Sequence, residues 1–389
     1  MAVGDPMHGP MDGMRVLDLS RLLPGGLVTQ LLADLGAEVI KVEEPGRGDY
    51  LRDLARTPSG RSPVFFLLNQ GKKSIALNLK RAEGREILHR LIPTTDVLLE
   101  QFRPGVAGEL GVDYETARAL KKDLVYCSLS GFGAGGPYRN RPGHDLNFMA
   151  LAGGLHPGGG KRPVVPPVPA ADITSGFLGA FAILAALLER NRSGEGHFLD
   201  LSLFDAALYL NAVALAAGET FLSGGSPGYG LYEGADGGFL SLGALEKGFW
   251  RRLSEAIGRP DLADTDLERD RAARRAGDAL RSTFAQKTIE DWDEILRRHD
   301  VPAAPVVSPQ EVREDPHVQA LGLIQQVEVD GETLPSLAHP ARWSGNGPRR
   351  HGTAPRLGEH TAQLLREAGY EASAIARWAR DGVLELGET

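Results

Sequence analysis

The sequence predicts an α/β fold: a large, doubly wound, mostly parallel sheet with a smaller α+β domain. Three observations carry that reading. Short apolar runs alternate with helical stretches over the first 130 residues, the pattern of successive βαβ units. Beyond a Gly/Ser/Pro-rich stretch at 218–230 the texture changes to charged, amphipathic helices, as in a second domain. The length of 389 residues allows two or three domains and a sizeable core without disulfide or metal staples.

The elements follow in order. Met14–Leu19 is a strand, broken by Pro24-Gly25-Gly26. Leu27, Leu31, Leu32 and Leu35 recur at helical spacing, with Gly36 placed as a C-cap. Val39–Val42, Ser74–Leu79, Asp96–Phe102 and Leu124–Ser128 read as strands, with helices at Ala82–Leu91 and Tyr114–Lys121. Helices are expected at Leu146–Leu151 and Ile173–Arg190, and a strand running into a helix at Phe198–Leu208. Asp236-Gly237 between apolar runs marks a tight hairpin. Helices at Phe249–Ile257, Leu267–Phe284 and Ile289–His299 follow, then a hairpin at Gln326–Ala338 and a helical tail from Glu359 to Leu384.

Composition narrows the function. Apolar residues make up 42% and charged residues 24%, as in ordinary globular chains, which excludes wholesale disorder. The net charge of −8 speaks against a nucleic-acid binder. One cysteine, Cys127, excludes a disulfide framework or a Cys-rich metal site and fits a reducing cytoplasm. No signal peptide is visible, and the longest apolar run, Phe177–Leu188, is too short to span a bilayer, so no membrane partner is expected. Gly131–Gly136 matches G-x-G-x-x-G, but Pro137, Pro142 and Gly143 follow where a dinucleotide site needs a helix. Phosphate-loop, serine-hydrolase and zinc motifs are absent, so no metal is expected.

Three residues at loop-to-helix junctions remain as candidates for chemistry: His144, Asp172 and Glu246. Each has a structural alternative. Asp172 is a natural N-cap, Glu246 a first-turn acid, and His144 an ordinary surface histidine; Asp145 reads as the N-cap of its own helix. The basic residues Arg47, Arg52, Lys72, Lys73, Arg103, Arg139 and Arg141 form either a polyphosphate site or a solvated face.

Five segments add a family. VLDLSRLLPGGLVTQLLADLGAEVIKVEEPGRGD, LNQGKKSIALNLK, VLLEQFRPGVAGELG, YCSLSGFGAGGPYRNRPGHDLNFMALAGG and GHFLDLSLFDAAL together resemble the family III CoA-transferases (CaiB/BaiF), over about residues 12–340. Within that family, Gly143-His144-Asp145, Tyr232–Gly237 and Gly243-Ala244-Leu245-Glu246 are most similar to the α-methylacyl-CoA racemases.

The resemblance implies an interlocked homodimer. It implies a large domain at 1–217, a linker at 218–230, a small domain at 231–315, a linker at 316–340, and a segment at 341–389 returning to the large domain. It implies that His144 and Asp172 exchange the C2 proton of a 2-methylacyl-CoA through an enolate, with Glu246 supporting His144. The alternative is a CoA-transferase in which Asp172 alone forms an aspartyl-CoA thioester. CoA contacts are implied at Leu23, Pro24, Asn69, Lys72, Gln101, Phe102, Arg103 and Arg139. CoA is part of the acyl-CoA substrate, and no separate cofactor is expected. Where transferases of the family often carry Arg before Pro, this chain has Glu44; Lys41, Arg47 and Arg52 are the candidates to replace it. The enolate oxygen needs hydrogen-bond donors, for which the helix start near Asp172 is a candidate.

Overall fold

The structure is a computed structural model that describes residues 9–156, 162–218, 226–267, 270–344, 347–348 and 352–387. Within the linker expected at 218–230, residues 219–225 lie outside the described residues. The chain divides into two compact units: Met1–Leu155 with Val165–Leu210 and Ala320–Thr389, and His156–Val164 with Asn211–Gln319.

The larger unit runs β1 (Arg15–Leu19), α1 (Leu22–Asp34), β2 (Glu38–Glu43), α2 (Pro63–Asn69), β3 (Lys73–Leu77), α3 (Ala82–Leu91) and β4 (Val97–Glu100). It continues with α4 (Val106–Glu109), α5 (Tyr114–Leu120), β5 (Val125–Ser130), α6 (Asp145–Leu151), α7 (Ala170–Ser193), β6 (His197–Ser202) and α8 (Leu203–Leu210). The smaller unit holds α9 (Ala212–Ala217), β7 (Tyr229–Glu233), β8 (Phe239–Gly243), α10 (Lys247–Ala256), α11 (Asp270–Phe284), α12 (Ile289–Arg298) and β9 (Ala303–Pro305). Helix α13 (Pro316–Ala320) marks the changeover. The larger unit then resumes with the hairpin β10 (Ile324–Val329) and β11 (Glu332–Leu337), followed by α14 (Thr361–Glu367), α15 (Ala372–Arg380) and β12 (Leu384–Glu385).

The main sheet has seven strands in the order β12-β3-β2-β1-β4-β5-β6. Six are parallel to their neighbours, and only β12 runs antiparallel, against β3. Alternate residues of each strand feed opposite faces. Val16, Val39, Val97 and Cys127 pack with α1, α6, α7 and α8 on one side. Leu17, Ile40, Leu98 and Tyr126 pack with α3, α5, α14 and α15 on the other. The sheet is therefore covered on both faces, the normal state of parallel sheets.

The topology locates the site. The chain moves outward from β1 through β2 to β3, then returns to the other side of β1 for β4. That reversal opens a crevice beyond the carboxyl ends of β1 and β4, where open α/β sheets bind ligands.

Four local expectations change. Pro24-Gly25-Gly26 does not delay α1 but lies inside its first turns. A proline is tolerated there because the first amides lack intrahelical acceptors. A Cβ on Gly25 would come within 2.2 Å of the Ser20 Cβ, so glycine lets the helix start close against the end of β1. Helix α2 was not anticipated, although Ser62 caps it, accepting from the Phe65 amide, and Pro63 sits at its first position. The helical tail is two helices, because Gly369 takes φ +84° and turns the chain, and Leu384 belongs to a strand. Helix α7, at 24 residues, exceeds the apolar run seen in the sequence and is long and apolar enough to cross a membrane by length and composition. In this fold its Gly176 and Gly179 face lies directly on Leu27 and Val28 of α1, as a core helix does.

The smaller unit is a three-stranded antiparallel sheet, β7-β8-β9, packed on amphipathic helices through Trp250, Leu253, Phe284 and Trp292. The hairpin turns at Asp236-Gly237 as the sequence indicates, with Gly237 at φ +76°.

Candidate active site

A cleft of about 180 Å³ opens at the crevice of the larger unit. Its walls come from Leu22 and Pro24 after β1, from Gln101 to Pro104 after β4, and from Ser130 at the end of β5 and Gly131 beyond it. Arg139, Arg141, Gly143 and His144 line it from the glycine-rich loop, and Asp172 from the first turn of α7. The structure thus brings together His144, Asp172, Pro24, Gln101, Phe102, Arg103 and Arg139 among the residues singled out from the sequence.

Asp172 is the third residue of α7, not its N-cap; that position belongs to Pro169. Burial first, and then the negative charge of Asp145, push its carboxyl up to about 7. A carboxyl that titrates near neutrality can both give and take a proton in the physiological range. His144 is exposed and stands at the N-cap of α6, where its amide donates to Asn147 Oδ1 at 3.0 Å. Asp145 is not the cap of α6. Its Oδ1 accepts from the amides of Ala171 at 2.7 Å and Asp172 at 3.1 Å, so it caps α7 instead. These amides are consequently taken, and the start of α7 does not offer them to an enolate oxygen.

Glu246 belongs to the smaller unit. It is exposed at the N-cap of α10 and makes no side-chain capping bond. Leu23 is half-buried and packs toward Leu51, Phe65, Phe66 and Leu68 rather than lining the cleft.

Asn69 and Lys72 lie inside the fold. Lys72 Nζ donates to Thr29 Oγ1 at 2.7 Å, Asn69 Oδ1 at 2.9 Å and Gly26 O at 3.1 Å, and reaches Asp18 Oδ2 at 3.4 Å. Burial, offset in part by Asp18, lowers its ammonium to about 8. Two of the three candidates to replace the expected arginine are likewise committed. Lys41 is fully buried and pairs with Asp49 at 2.9 Å. Arg52 makes a fork to both oxygens of Glu43, at 2.7 and 2.6 Å, and donates to Pro355 O. Arg47 is exposed and stacks on the Tyr50 ring at 4.1 Å.

Sequence reasoning missed the left-handed turn at Leu22. Leu22 adopts φ +63°, a left-handed conformation costly for a side-chain-bearing residue, and Asp49 holds it there by accepting its amide at 3.1 Å. The Gln101 Oε1 is buried without a hydrogen-bond partner among the described residues, an acceptor available at the cleft wall. The Gly131–Gly136 loop serves a structural end: Gly133 donates to Ser130 Oγ and Ala134 donates to the Asp200 carboxylate.

A doubly wound α/β unit with a carboxyl group and an imidazole in its switch-point cleft defines the class, and comparison with known proteins then defines the family. The description of CoA-transferase family III matches residues 11–361, and the chain belongs to that family. It is 35% identical to a succinate–glutarate CoA-transferase of Agrobacterium fabrum, over 92% of this chain and 95% of that one. It is 33% identical to the α-methylacyl-CoA racemase of Mus musculus, over 96% and 97%. A crystal structure of a CaiB/BaiF family protein from Brucella suis superposes with a TM-score of 0.80 at 32% identity, covering 93% of this chain and all of the other.

Proposed function

We propose that the chain is an acyl-CoA racemase that exchanges the C2 proton of 2-methylacyl-CoA thioesters through an enolate. The observation that carries this reading is the presence of His144 and Asp172 in one cleft, with the Asp172 carboxyl titrating near 7. Inversion at C2 needs a base on one face and an acid on the other. The His144 imidazole takes the C2 proton, the C2–H electron pair moves into the thioester to give the enolate, and the Asp172 carboxyl delivers its proton to C2. The reverse direction exchanges the roles. Arg103, Arg139 and Arg141 on the cleft wall supply charge-assisted donors for the phosphates of CoA. The working unit is a homodimer. An exposed apolar stripe on α7, Phe177, Phe181 and Leu188, supports the pairing, since a second copy would remove it from water.

The second reading is a CoA-transferase acting through Asp172 alone. The 35% identity to a succinate–glutarate CoA-transferase favours it. The deciding experiment follows deuterium uptake at C2 of a 2-methylacyl-CoA in D2O by mass spectrometry, with and without a carboxylic acid acceptor. Uptake without acceptor, lost in His144→Ala, establishes the racemase. No uptake, but CoA appearing on the acid and lost in Asp172→Ala, establishes the transferase.

A further inference from the structure

Helix α7 carries the reacting carboxyl group in its first turn but supplies no cap of its own. Its N-cap residue is Pro169, which has no side-chain acceptor. The missing acceptor comes from Asp145, the residue after His144, on a different helix and a different stretch of chain. One carboxylate oxygen takes both the Ala171 and Asp172 amides, so the starts of α6 and α7 are tied together at the cleft. We infer that Asp145 is a positioning residue: it locks the first turn of α7 against the start of α6 and withholds from the Asp172 carboxylate the first-turn amides that would otherwise stabilise its charge.

The chemistry follows from what a helix start ordinarily does. Free first-turn amides attract a negative charge and would favour ionised Asp172. Asp145 occupies those amides and brings its own negative charge beside Asp172, and both effects disfavour the ionised form. The raised Asp172 carboxyl, for which burial and Asp145 are the two causes, agrees with this arrangement. The elements packed on α7 offer other charges: His144 on α6, Asp34 on α1, Asp205 on α8, and His197 and Asp200 on β6. Three arginines, Arg103, Arg139 and Arg141, share the cleft, but none of them contributes to the shift of Asp172. Among all of these, only Asp145 has an oxygen on the first-turn amides.

The inference rests on the reading of Asp172 as the reacting group, and its test has a readout independent of turnover. Asp145→Asn keeps an acceptor oxygen but loses the charge; Asp145→Ala loses both. The Asp172 carboxyl is titrated through the pH dependence of unfolding, comparing each background with its Asp172→Asn partner. In Asp145→Asn its midpoint should fall by about one pH unit, and the limb of the pH–kcat/KM profile set by Asp172 should move with it. Asp145→Ala should also lower the thermal midpoint by a few degrees relative to Asp145→Asn, because the cap is gone. An unmoved Asp172 midpoint in Asp145→Asn overturns the electrostatic part. Equal thermal midpoints for the two variants overturn the cap. Should no acyl-CoA turn over while the midpoint still shifts, the proposed function falls and the role of Asp145 stands.

Discussion

Two buried or half-buried aspartates in the larger unit meet opposite fates. Asp18, at the centre of the sheet, is fully buried, yet its carboxyl lies below the usual range. Burial pushes it up, but Lys41, Lys72 and the hydroxyls of Ser20 and Thr29 together more than reverse that. Asp172, less buried, ends up near 7 because its charged neighbour is another carboxylate. Burial alone therefore does not decide the protonation state; the sign of the nearest charge does. The first cluster is a closed structural network in which each charge has a partner, and it carries the strand ends and the start of α1. The second leaves a carboxyl group uncompensated where a substrate can reach it, which is the arrangement proton transfer requires.

The largest effects should come from the uncompensated site. Asp172→Asn should lower C2 exchange by about 10²–10⁴-fold, and His144→Ala by a similar factor, while CoA transfer, if present, would survive the second change. Mass-spectrometric deuterium counting separates the two cases. In the closed network, Asp18→Ala leaves two buried ammonium groups with Asp49 as the remaining ion-pair partner of Lys41 and Glu43 nearby. A loss of about 3–5 kcal/mol in urea unfolding is expected. A loss below ~1 kcal/mol would mean that water enters the network and that the contrast with Asp172 is weaker than drawn. Gly179→Ala tests a position outside both clusters: its Cβ would lie 2.7 Å from Val28 Cγ2, so α7 must shift from α1. About 1–3 kcal/mol of destabilisation is expected, with a smaller loss of activity through the displaced first turn.

The smallest effect is the sharpest in sign. Asp172 holds its proton more tightly when folded, so between its ordinary pKa and about 7 the native state binds more protons than the unfolded chain. Stability then falls as pH rises through that window. Asp172→Asn removes this slope and should be the more stable protein at pH 8, by about 1 kcal/mol once partial exposure screens the charge. At pH 4 the two proteins should unfold together. The same comparison made at Asp18 should run the other way, with stability lost as pH falls.

Much of this molecule was legible in the sequence because the relevant signals are local. The five strands of the first 130 residues and helices α1, α3 and α5 follow from apolar periodicity, and α3 keeps the expected bounds, Ala82–Leu91. The loop-to-helix positions of His144 and Asp172 were also visible. What escaped depends on contacts between distant residues. The start of α1 was misread because Pro24, Gly25 and Gly26 look like a break until Ser20 is seen pressed against Gly25. Asp145 was read as the cap of its own helix because no local pattern reveals that it caps α7. Lys72 reads as a CoA contact or part of a solvated face, and Lys41 as a replacement for the expected arginine, because charge in a sequence carries no sign of burial; only the fold shows Asp18 and Asp49 holding them inside. The break between α14 and α15 was the exception: Gly369 was in plain sight.

The place of β12 has a consequence for how this protein is made. Leu384 pairs with Leu77 and Glu385 with Ala76, so the edge of the main sheet is completed by a strand that is made only after the whole of the smaller unit. Everything from Asn211 to Gln319 is synthesised as a separate compact body while that edge waits open. A nascent chain therefore exposes an unpaired strand until β12 is made, a template for unwanted pairing with neighbouring polypeptides. Removal of Leu384 and Glu385 should lower soluble yield far more than their small share of the core suggests, and chaperone demand should be highest before β12 is made.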